Sequence, residues 1–133
     1  MTDLSRVRAG IDIVSVGRIE DMLTRWGERF LKRIYTDGEI AYCMNRAFPA
    51  RSLAARFAAK EAFIKAVSPW PADGIDPRSI EVVVDSSGIP AIEPHGNARK
   101  ALRGQMASVS VSHEQEFAVA MVVTSGPSQE VKP

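Results

Sequence analysis

Arg56-Phe-Ala-Ala-Lys-Glu-Ala-Phe-Ile-Lys65 is an amphipathic stretch whose apolar residues recur at helical spacing. At about 100° per residue, four apolar side chains in and around it share one stripe: Leu53, Phe57, Ile64 and Val67. This spacing predicts a long helix from about Ala50 to Val67, packed on a hydrophobic core. Pro49 is well placed near its start, where a missing backbone N–H does no harm. The proline-rich run 68–77 then predicts a loop.

Charged side chains interrupt the apolar surface of this helix. Lys60 lies within the stripe, Glu61 lies at its border, and Lys65 follows Glu61 one turn later on the same side. Because a buried charge without a partner costs several kcal/mol, such side chains normally bind a counter-charge, an ion or a ligand. The alternative is a Glu61–Lys65 pair on the surface, which would stabilise the helix by only about 0.3 to 0.5 kcal/mol.

Another charged side chain lies in an apolar strand pattern, Ala9-Gly-Ile-Asp-Ile-Val14. Four alternating residues predict a strand with this face on the core: Val7, Ala9, Ile11 and Ile13. Asp12 is unusual in a strand, and the nearby Gly10 indicates close approach by another backbone or a ligand. If Asp12 meets Glu61, the two carboxylates suit a hard cation completed by water and phosphate oxygens. Alternatively, Asp12 caps the following helix or pairs with an arginine.

Length and composition indicate one compact domain over residues 1–133, with its core at about 7–124 and a flexible tail at 125–133. The single cysteine, Cys43, excludes an intramolecular disulfide, and the two histidines, His95 and His113, form no zinc-binding pattern. There is no N-terminal signal region and no run of about 18 apolar residues. We therefore expect a cytoplasmic protein without a membrane partner.

The formal net charge of +1 is unevenly distributed along the chain. Residues 1–65 carry 12 Lys or Arg and 8 Asp or Glu, a charge of +4, whereas residues 66–133 carry 5 and 8, a charge of −3. The basic half favours an anionic ligand or an acidic protein partner. The excess is small and lacks interleaved aromatic residues, which argues against nucleic acid binding.

Two shorter helices are predicted before the long one. The first runs from Arg18 to about Trp26 and presents arginines to solvent: Arg18, Arg25 and, just beyond it, Arg29. Thr36-Asp-Gly-Glu39 is a capping-box sequence, which predicts a second helix that continues to Met44. Cys43 lies in this helix among apolar neighbours, so we interpret it as a packed thiol rather than a nucleophile.

The second half of the chain favours strands. Ile80–Val84 and Ile89–Ile92 predict two strands joined by a turn, and a short helix follows from Asn97 to Arg103. Alternation predicts a strand over Ala107–His113, and the continuously apolar Phe117–Val123 predicts an interior strand. The expected fold class is α+β, with a small antiparallel sheet packed against a long helix and shorter helices.

Three segments together resemble one protein family: Ala9–Val14 with its Gly-Ile-Asp, Arg56–Lys65 with its Lys-Glu-Ala and trailing lysine, and Val109-Ser-Val-Ser-His113. In this order and at this chain length they resemble the bacterial holo-acyl-carrier-protein synthases of the 4'-phosphopantetheinyl transferase superfamily. The resemblance spans roughly residues 7–123. One departure is Arg8, where members often have a second glycine.

The resemblance implies a reaction in which a serine hydroxyl of an apo acyl carrier protein attacks the pantetheine-bearing phosphate of coenzyme A, releasing adenosine 3',5'-bisphosphate. It also implies that Asp12 and Glu61 are ligands of Mg²⁺, and that Lys65 neutralises charge on the moving phosphate. Arg56, Lys65 and His113 would bind coenzyme A, and Lys65 and His113 would also be catalytic. Glu61 or a metal-bound water would take the proton of the serine; the sequence does not choose between them.

Protein partners follow from the same resemblance. Carrier proteins of this kind are strongly acidic, so Arg18 and Arg25, with Arg29 as a further candidate, would dock the carrier; ordinary exposed arginines are the alternative. Larger superfamily members look like two copies of this unit, so a single copy is expected to form a homotrimer with active sites at subunit interfaces. Phe117–Val123 would continue the sheet into that interface or form a central strand of the monomer.

Two other functions fit the same residues. A non-enzymatic module would bind coenzyme A or an acidic protein through the basic helix, and a Mg²⁺-dependent phosphohydrolase would use water as the nucleophile. The sequence contains neither a glycine-rich P-loop nor a Gly-x-Ser-x-Gly elbow, which argues against hydrolases and esterases of those kinds. The carrier served would belong to fatty-acid or polyketide biosynthesis. His95 is assigned no role.

Overall fold

The computed structural model describes residues 6–68 and 74–127, which fold into helices and two antiparallel sheets. The larger sheet has the strand order β1-β5-β4 and packs against the longest helix, α4. The elements in chain order are β1 (Arg8–Ser15), α1 (Val16–Trp26), α2 (Glu28–Ile34), α3 (Asp37–Met44), α4 (Pro49–Val67), a 3₁₀ turn (Pro77–Ser79), β2 (Ile80–Val84), β3 (Pro90–Pro94), α5 (Gly96–Leu102), β4 (Met106–His113) and β5 (Phe117–Ser125). The predicted α+β fold class is confirmed.

The face of strand β1 that packs on the core is the opposite of the predicted one. Gly10 and Val14 are buried on the face that packs against α4, whereas Ile11 and Ile13 are 60% and 62% exposed on the outer face. The reason is the close approach of the helix, because a Cβ atom at position 10 would overlap the backbone of Ala62. Glycine is needed where two backbones come this close. The predicted approach of another backbone at Gly10 is therefore confirmed.

Helix α4 begins at Pro49, as predicted, but it is buried over most of its circumference rather than along one stripe. Of the predicted stripe, Leu53 is fully buried, whereas Phe57, Ile64 and Val67 are only partly buried. Most of its buried residues are small: Ala54, Ala55, Ala58, Ala59, Ala62 and Ala66. The spacing of the large apolar side chains does not reveal the buried alanines, which allow close packing against the sheet.

Helix α3 begins at the predicted capping box. The Thr36 hydroxyl accepts a hydrogen bond from the backbone N–H of Glu39, and the Glu39 carboxylate accepts one from the backbone N–H of Thr36. That carboxylate also accepts a 2.8 Å hydrogen bond from Lys60, which donates to the carbonyl oxygens of Pro77 and Ile80 as well. Lys60 is therefore a buried charge with a structural partner, and it ties α4 to α3 and to the start of β2.

The remaining elements differ from the predictions in one additional helix and in how the strands pair. Helix α2 was not predicted, and β2 and β3 form a separate two-stranded sheet. Strand β5 lies between β1 and β4, which supports the central-strand alternative for Phe117–Val123. Residues 69–73 of the predicted loop and 128–133 of the predicted tail lie outside the described residues. Within the described part of the chain, no helix is long and apolar enough to cross a membrane.

Candidate active site

Three of the predicted site residues meet where β1 faces α4: Asp12, Glu61 and Lys65. The Lys65 ammonium lies 3.1 Å from the Asp12 Oδ1 atom and donates a 2.9 Å hydrogen bond to the backbone carbonyl of Ile11. The Asp12 side chain is mostly buried, whereas that of Lys65 is half-exposed. The cluster is therefore open to solvent on the Lys65 side, where an anionic ligand can enter.

Glu61 is partly buried and lies one helical turn before Lys65. Burial raises the pKa of its carboxyl above the ordinary value of 4.5, and the negative charge of Asp12 raises it further. The positive charges of Lys65 and Arg18 act in the opposite direction. The two carboxylates are thus close enough to influence each other's ionisation, as a shared cation site requires.

Among the described residues, neither the Glu61–Lys65 ion pair nor a cap by Asp12 is found. Among the residues that the structure describes, Lys65 forms its ion pair with Asp12 rather than with Glu61. The helix that follows β1 is capped by Ser15, whose hydroxyl accepts a hydrogen bond from the backbone N–H of Arg18, and not by Asp12. Asp12 is therefore free of a capping role, and its partner is a lysine of the candidate site.

Arg56 lies on a different side of α4, against α3. It is five residues before Glu61, which corresponds to about 140° around a helix. Its guanidinium carbon lies 4.4 Å from the centroid of the Tyr42 ring, and the residue is 7% exposed. The Nε atom is buried and has no hydrogen-bond partner among the described residues. Arg46 lies over the same ring at 5.3 Å, so two cations converge there, away from the Asp12 cluster.

His113 is exposed at the end of β4, as predicted, but on the strand farthest from Asp12. It pairs with Ala118, whereas Asp12 pairs with Ala120 across the other edge of β5. Because neighbouring strands are about 4.8 Å apart, β1 and β4 are separated by roughly 10 Å. The fold of one chain therefore does not place His113 beside the Asp12 carboxylate.

Arg18 borders a cavity of about 530 Å³ between α1, α2 and α4. Its lining combines arginines with apolar side chains, among them Ile19, Met22, Trp26 and Phe57. Arg29 lines it too, as does Arg33, a residue without a predicted role because α2 was not predicted. Arg25, the other predicted docking residue, is exposed in the last turn of α1 and does not line the cavity.

The sequence pattern of the 4'-phosphopantetheinyl transferase superfamily matches residues 8–122 of the chain. The chain belongs to this superfamily. It is similar to the holo-[acyl-carrier-protein] synthase of Koribacter versatilis, with 44% identity over 117 residues that cover 86% of this chain and 94% of the relative. The holo-[acyl-carrier-protein] synthase of Syntrophus aciditrophicus is 41% identical over 120 residues, or 88% and 94% of the two chains.

Solved structures support the same assignment of the phosphopantetheinyl transferase fold. The Helicobacter pylori holo-[acyl-carrier-protein] synthase in complex with coenzyme A matches with a TM-score of 0.79 and 33% identity, over 88% of this chain and 99% of that chain. The enzyme from Neisseria meningitidis matches with a TM-score of 0.81 and 34% identity, over 90% and 98%. The resemblance noted in the sequence is confirmed.

The Asp12 cluster of this phosphopantetheinyl transferase fits a hard divalent cation. Its donor set consists of carboxylate oxygens from Asp12 and Glu61, which Mg²⁺ prefers, and the open side leaves room for water and phosphate oxygens. A positive ion between the two carboxylates would offset both the burial and the Asp12 repulsion that raise the pKa of Glu61. The residues present therefore suit such an ion chemically.

Proposed function

We propose that this phosphopantetheinyl transferase moves the 4'-phosphopantetheine group from coenzyme A to a serine hydroxyl of an apo acyl carrier protein, releasing adenosine 3',5'-bisphosphate. The observation that carries the proposal is the convergence of Asp12, Glu61 and Lys65 between β1 and α4. The relatives of the chain are named holo-[acyl-carrier-protein] synthases. Phosphoryl transfer depends mainly on alignment and charge neutralisation, and these side chains provide groups for both.

Asp12 and Glu61 would hold Mg²⁺ through their carboxylate oxygens. When bound, the ion neutralises charge on the coenzyme A diphosphate and on the leaving phosphate. Lys65 would bind a phosphate oxygen, since its contacts with Asp12 and the Ile11 carbonyl hold the ammonium at the open side of the cluster. Glu61 is a candidate acceptor of the serine proton, because its carboxylate lies beside the other charged groups of the cluster, Asp12 and Lys65. A water molecule in the site is the alternative acceptor.

Arg56 and His113 would bind phosphates of coenzyme A. Because Arg56 lies on the α3 side of α4, it would bind a phosphate of coenzyme A other than those at the Asp12 cluster. That anion would supply the acceptor that its buried Nε atom lacks among the described residues. His113 is exposed but lies two strands from Asp12 in its own chain. It would therefore act on coenzyme A held at the Asp12 cluster of a neighbouring copy.

A homotrimer with active sites between subunits would allow this arrangement. The outer face of the larger sheet carries exposed apolar side chains in adjacent strands: Ile11, Ile13, Phe117 and Met121. Contiguous exposed apolar surface usually marks an interface. Another copy on this face would bury these side chains and is the proposed source of the His113 that completes each site.

The acidic carrier protein would dock at the arginines of α1. Arg18 is the main candidate because it borders the cavity between α1, α2 and α4 and also interacts electrostatically with Glu61. The docking surface would thus adjoin the reacting groups, with Arg25 contributing from the end of the helix. The proposal includes a cytoplasmic location and a carrier of fatty-acid or polyketide biosynthesis.

The test is to incubate the protein with apo acyl carrier protein, coenzyme A and Mg²⁺, and to weigh the carrier by mass spectrometry. We expect a phosphopantetheine adduct on one serine, lost on chelation of the metal. Asp12→Asn and Glu61→Gln should each slow its formation roughly 100-fold or more. Asp85→Asn is the matched control, because it changes an exposed carboxylate in the β2–β3 turn and should leave the rate unchanged.

Other outcomes would indicate other functions. An unmodified carrier that still binds would favour the non-enzymatic module. Cleavage of coenzyme A without an adduct would favour the phosphohydrolase. Normal adduct formation by Asp12→Asn would contradict the role assigned to the carboxylate cluster.

A further inference from the structure

Glu81, Glu93 and His95 form a separate cluster of metal-ligating side chains on the β2–β3 hairpin and at the start of α5. One ligand atom of each lies within 4.8 Å of the others. The closest pair is His95 Nε2 and Glu81 Oε1, at 3.0 Å. The cluster belongs to the smaller sheet and shares no residue with the Asp12 site.

The two glutamates present like charges on one face of the β2–β3 hairpin, where His95 lies beside Glu81. Glu81 and Glu93 are direct partners in the β2–β3 register. Like charges directly opposite each other destabilise an antiparallel pair. No hydrogen bond or ion pair reaches the Glu93 carboxylate from residues 6–68 or 74–127. A cation bound by both carboxylates would give Glu93 a partner and oppose this like-charge contact.

The Glu81 side chain is held in a fixed orientation by Thr36, which would support this ligand without contacting the ion itself. Its Oε2 atom accepts a 2.7 Å hydrogen bond from the hydroxyl of Thr36, the residue that caps α3. Such supporting hydrogen bonds orient metal ligands and commonly raise metal affinity. The backbone N–H of His95 is also fixed, by a 2.8 Å hydrogen bond to the Ser79 carbonyl.

We propose that Glu81, Glu93 and His95 form a binding site for a borderline transition-metal ion such as Zn²⁺ or Co²⁺. One imidazole nitrogen and two carboxylate oxygens provide three protein ligands and leave positions for water. An imidazole ligand disfavours Mg²⁺, which prefers oxygen, so the site differs in metal preference from the Asp12 cluster. His95 and Glu81 are partly exposed, which gives an ion access from solvent.

The bound ion would act on stability rather than on phosphoryl transfer. It would join β2, β3 and the start of α5, and through the Thr36 hydrogen bond it would reach α3 as well. An ion that binds only the folded state stabilises it by RT ln(1 + [ion]/Kd), so the melting temperature rises with the concentration of the ion. The site therefore predicts stabilisation by Co²⁺ or Zn²⁺ that is independent of coenzyme A.

The experiment uses the whole chain, stripped of metal and titrated with Co²⁺ at about pH 7.5, because metal ligands must be deprotonated to bind. Visible absorption of the bound Co²⁺ and the melting temperature are followed together. With excess Mg²⁺ added to occupy the Asp12 cluster, we expect one equivalent of Co²⁺ to bind with both signals changing, and His95→Gln and Glu93→Gln to weaken binding about tenfold or more. His113→Gln removes the other histidine of the chain and is the matched control, while Asp12→Asn controls for the carboxylate cluster; both should bind Co²⁺ as the wild type does.

Three results would overturn the proposal. Unchanged Co²⁺ affinity in His95→Gln and Glu93→Gln would exclude these residues as ligands. Equal affinity for Mg²⁺ and Co²⁺ would exclude the proposed metal class. A Co²⁺ signal lost in Asp12→Asn but kept in His95→Gln would assign the ion to the other cluster.

Discussion

The backbone of Ala62 in α4 lies so close to Gly10 in β1 that a Cβ atom at position 10 would overlap the Ala62 carbonyl oxygen and crowd the Ala66 nitrogen. Asp12 follows Gly10 by two residues on the same face of the strand, and Glu61 directly precedes Ala62. The glycine contact therefore sets how closely the two carboxylates approach each other. The candidate site depends on a residue that contributes no side chain.

Gly10→Ala should destabilise the protein by about 1 to 3 kcal/mol and slow transfer to the carrier, because the strand must move away from α4 to accommodate the methyl group. Urea unfolding and the mass-spectrometric transfer rate measure the two effects. Gly17→Ala is the control, since a Cβ there meets only the Ser15 hydroxyl at an ordinary 3.6 Å and alanine is favoured in a helix. Wild-type stability of Gly10→Ala would show that the strand and helix can separate freely.

The Lys60–Glu39 ion pair is almost fully buried at 2.8 Å, and removing one partner should destabilise the fold strongly. Lys60→Met leaves an unpaired buried carboxylate, which should cost about 3 to 5 kcal/mol. Adding Glu39→Gln should recover part of this loss, because the remaining group is then neutral. A double-mutant cycle in urea measures the coupling.

The exposed Lys32–Glu28 pair, 4.0 Å apart, provides the comparison for that experiment. Lys32→Met should change the free energy of unfolding by less than about 1 kcal/mol, because exposed pairs contribute little. If the effects of Lys60→Met and Glu39→Gln simply add, the two side chains are not energetically coupled, contrary to the geometry.

Local chemistry made several elements predictable. The capping box Thr36–Glu39 and the position of Pro49 identified the starts of α3 and α4, because a helix start is determined by a few adjacent residues. The predicted core face of β1 was wrong. Alternation defines two faces but does not say which is covered, and Ile11 and Ile13 look like core residues until α4 is seen against Gly10.

The sequence did not indicate which residues contact each other when they lie far apart in the chain. The position of Lys60 in the apolar stripe indicated burial, but its partner Glu39 lies 21 residues away and could not be chosen. The meeting of Asp12 with α4 was a correct hypothesis, although the Lys65 contact with Asp12 was not foreseen. Relationships across the sheet, such as the distance of His113 from Asp12, require the strand order β1-β5-β4.

Ile13→Asp should disrupt the proposed homotrimer, because it places a charge in the exposed apolar outer face of the larger sheet. Light scattering after size-exclusion chromatography should give a trimer mass for the wild type and a smaller mass for the variant. Ile89→Asp is the control, since Ile89 is similarly exposed but lies in the β2–β3 turn. A monomeric wild type, or an unchanged mass of Ile13→Asp, would contradict the proposed interface.

The Cys43 thiol should be unreactive in the native protein. It is fully buried, and burial raises its pKa from 9.0 to about 11, which supports the interpretation as a packed thiol. Because the thiolate is the reactive form, an aromatic disulfide reagent at about pH 8 should label native protein very slowly and unfolded protein within minutes. Rapid labelling of the native state, followed by absorbance, would mean that α3 opens readily.

Glu61 should make the metal-free fold less stable as pH rises. Its pKa is raised above 4.5 in the folded state, so between 4.5 and the raised value the folded protein holds a proton that the unfolded chain has released. Stability then decreases with increasing pH in this interval. Glu61→Gln, which cannot ionise, should therefore melt at a higher temperature than wild type at about pH 7 and at nearly the same temperature at about pH 4.

Thermal melts across this pH range, in the presence of a chelator, measure the difference between the two proteins. Adding Mg²⁺ at about pH 7 should raise the melting temperature of wild type but not of Glu61→Gln, because the variant lacks one of the proposed carboxylate ligands. Glu116→Gln changes an exposed glutamate and should follow wild type throughout. Without metal, Glu61→Gln could instead melt at a lower temperature than wild type at about pH 7, which would contradict this prediction. It would mean that the attraction of the Glu61 carboxylate to Lys65 and Arg18 outweighs the cost of its burial and its repulsion by Asp12.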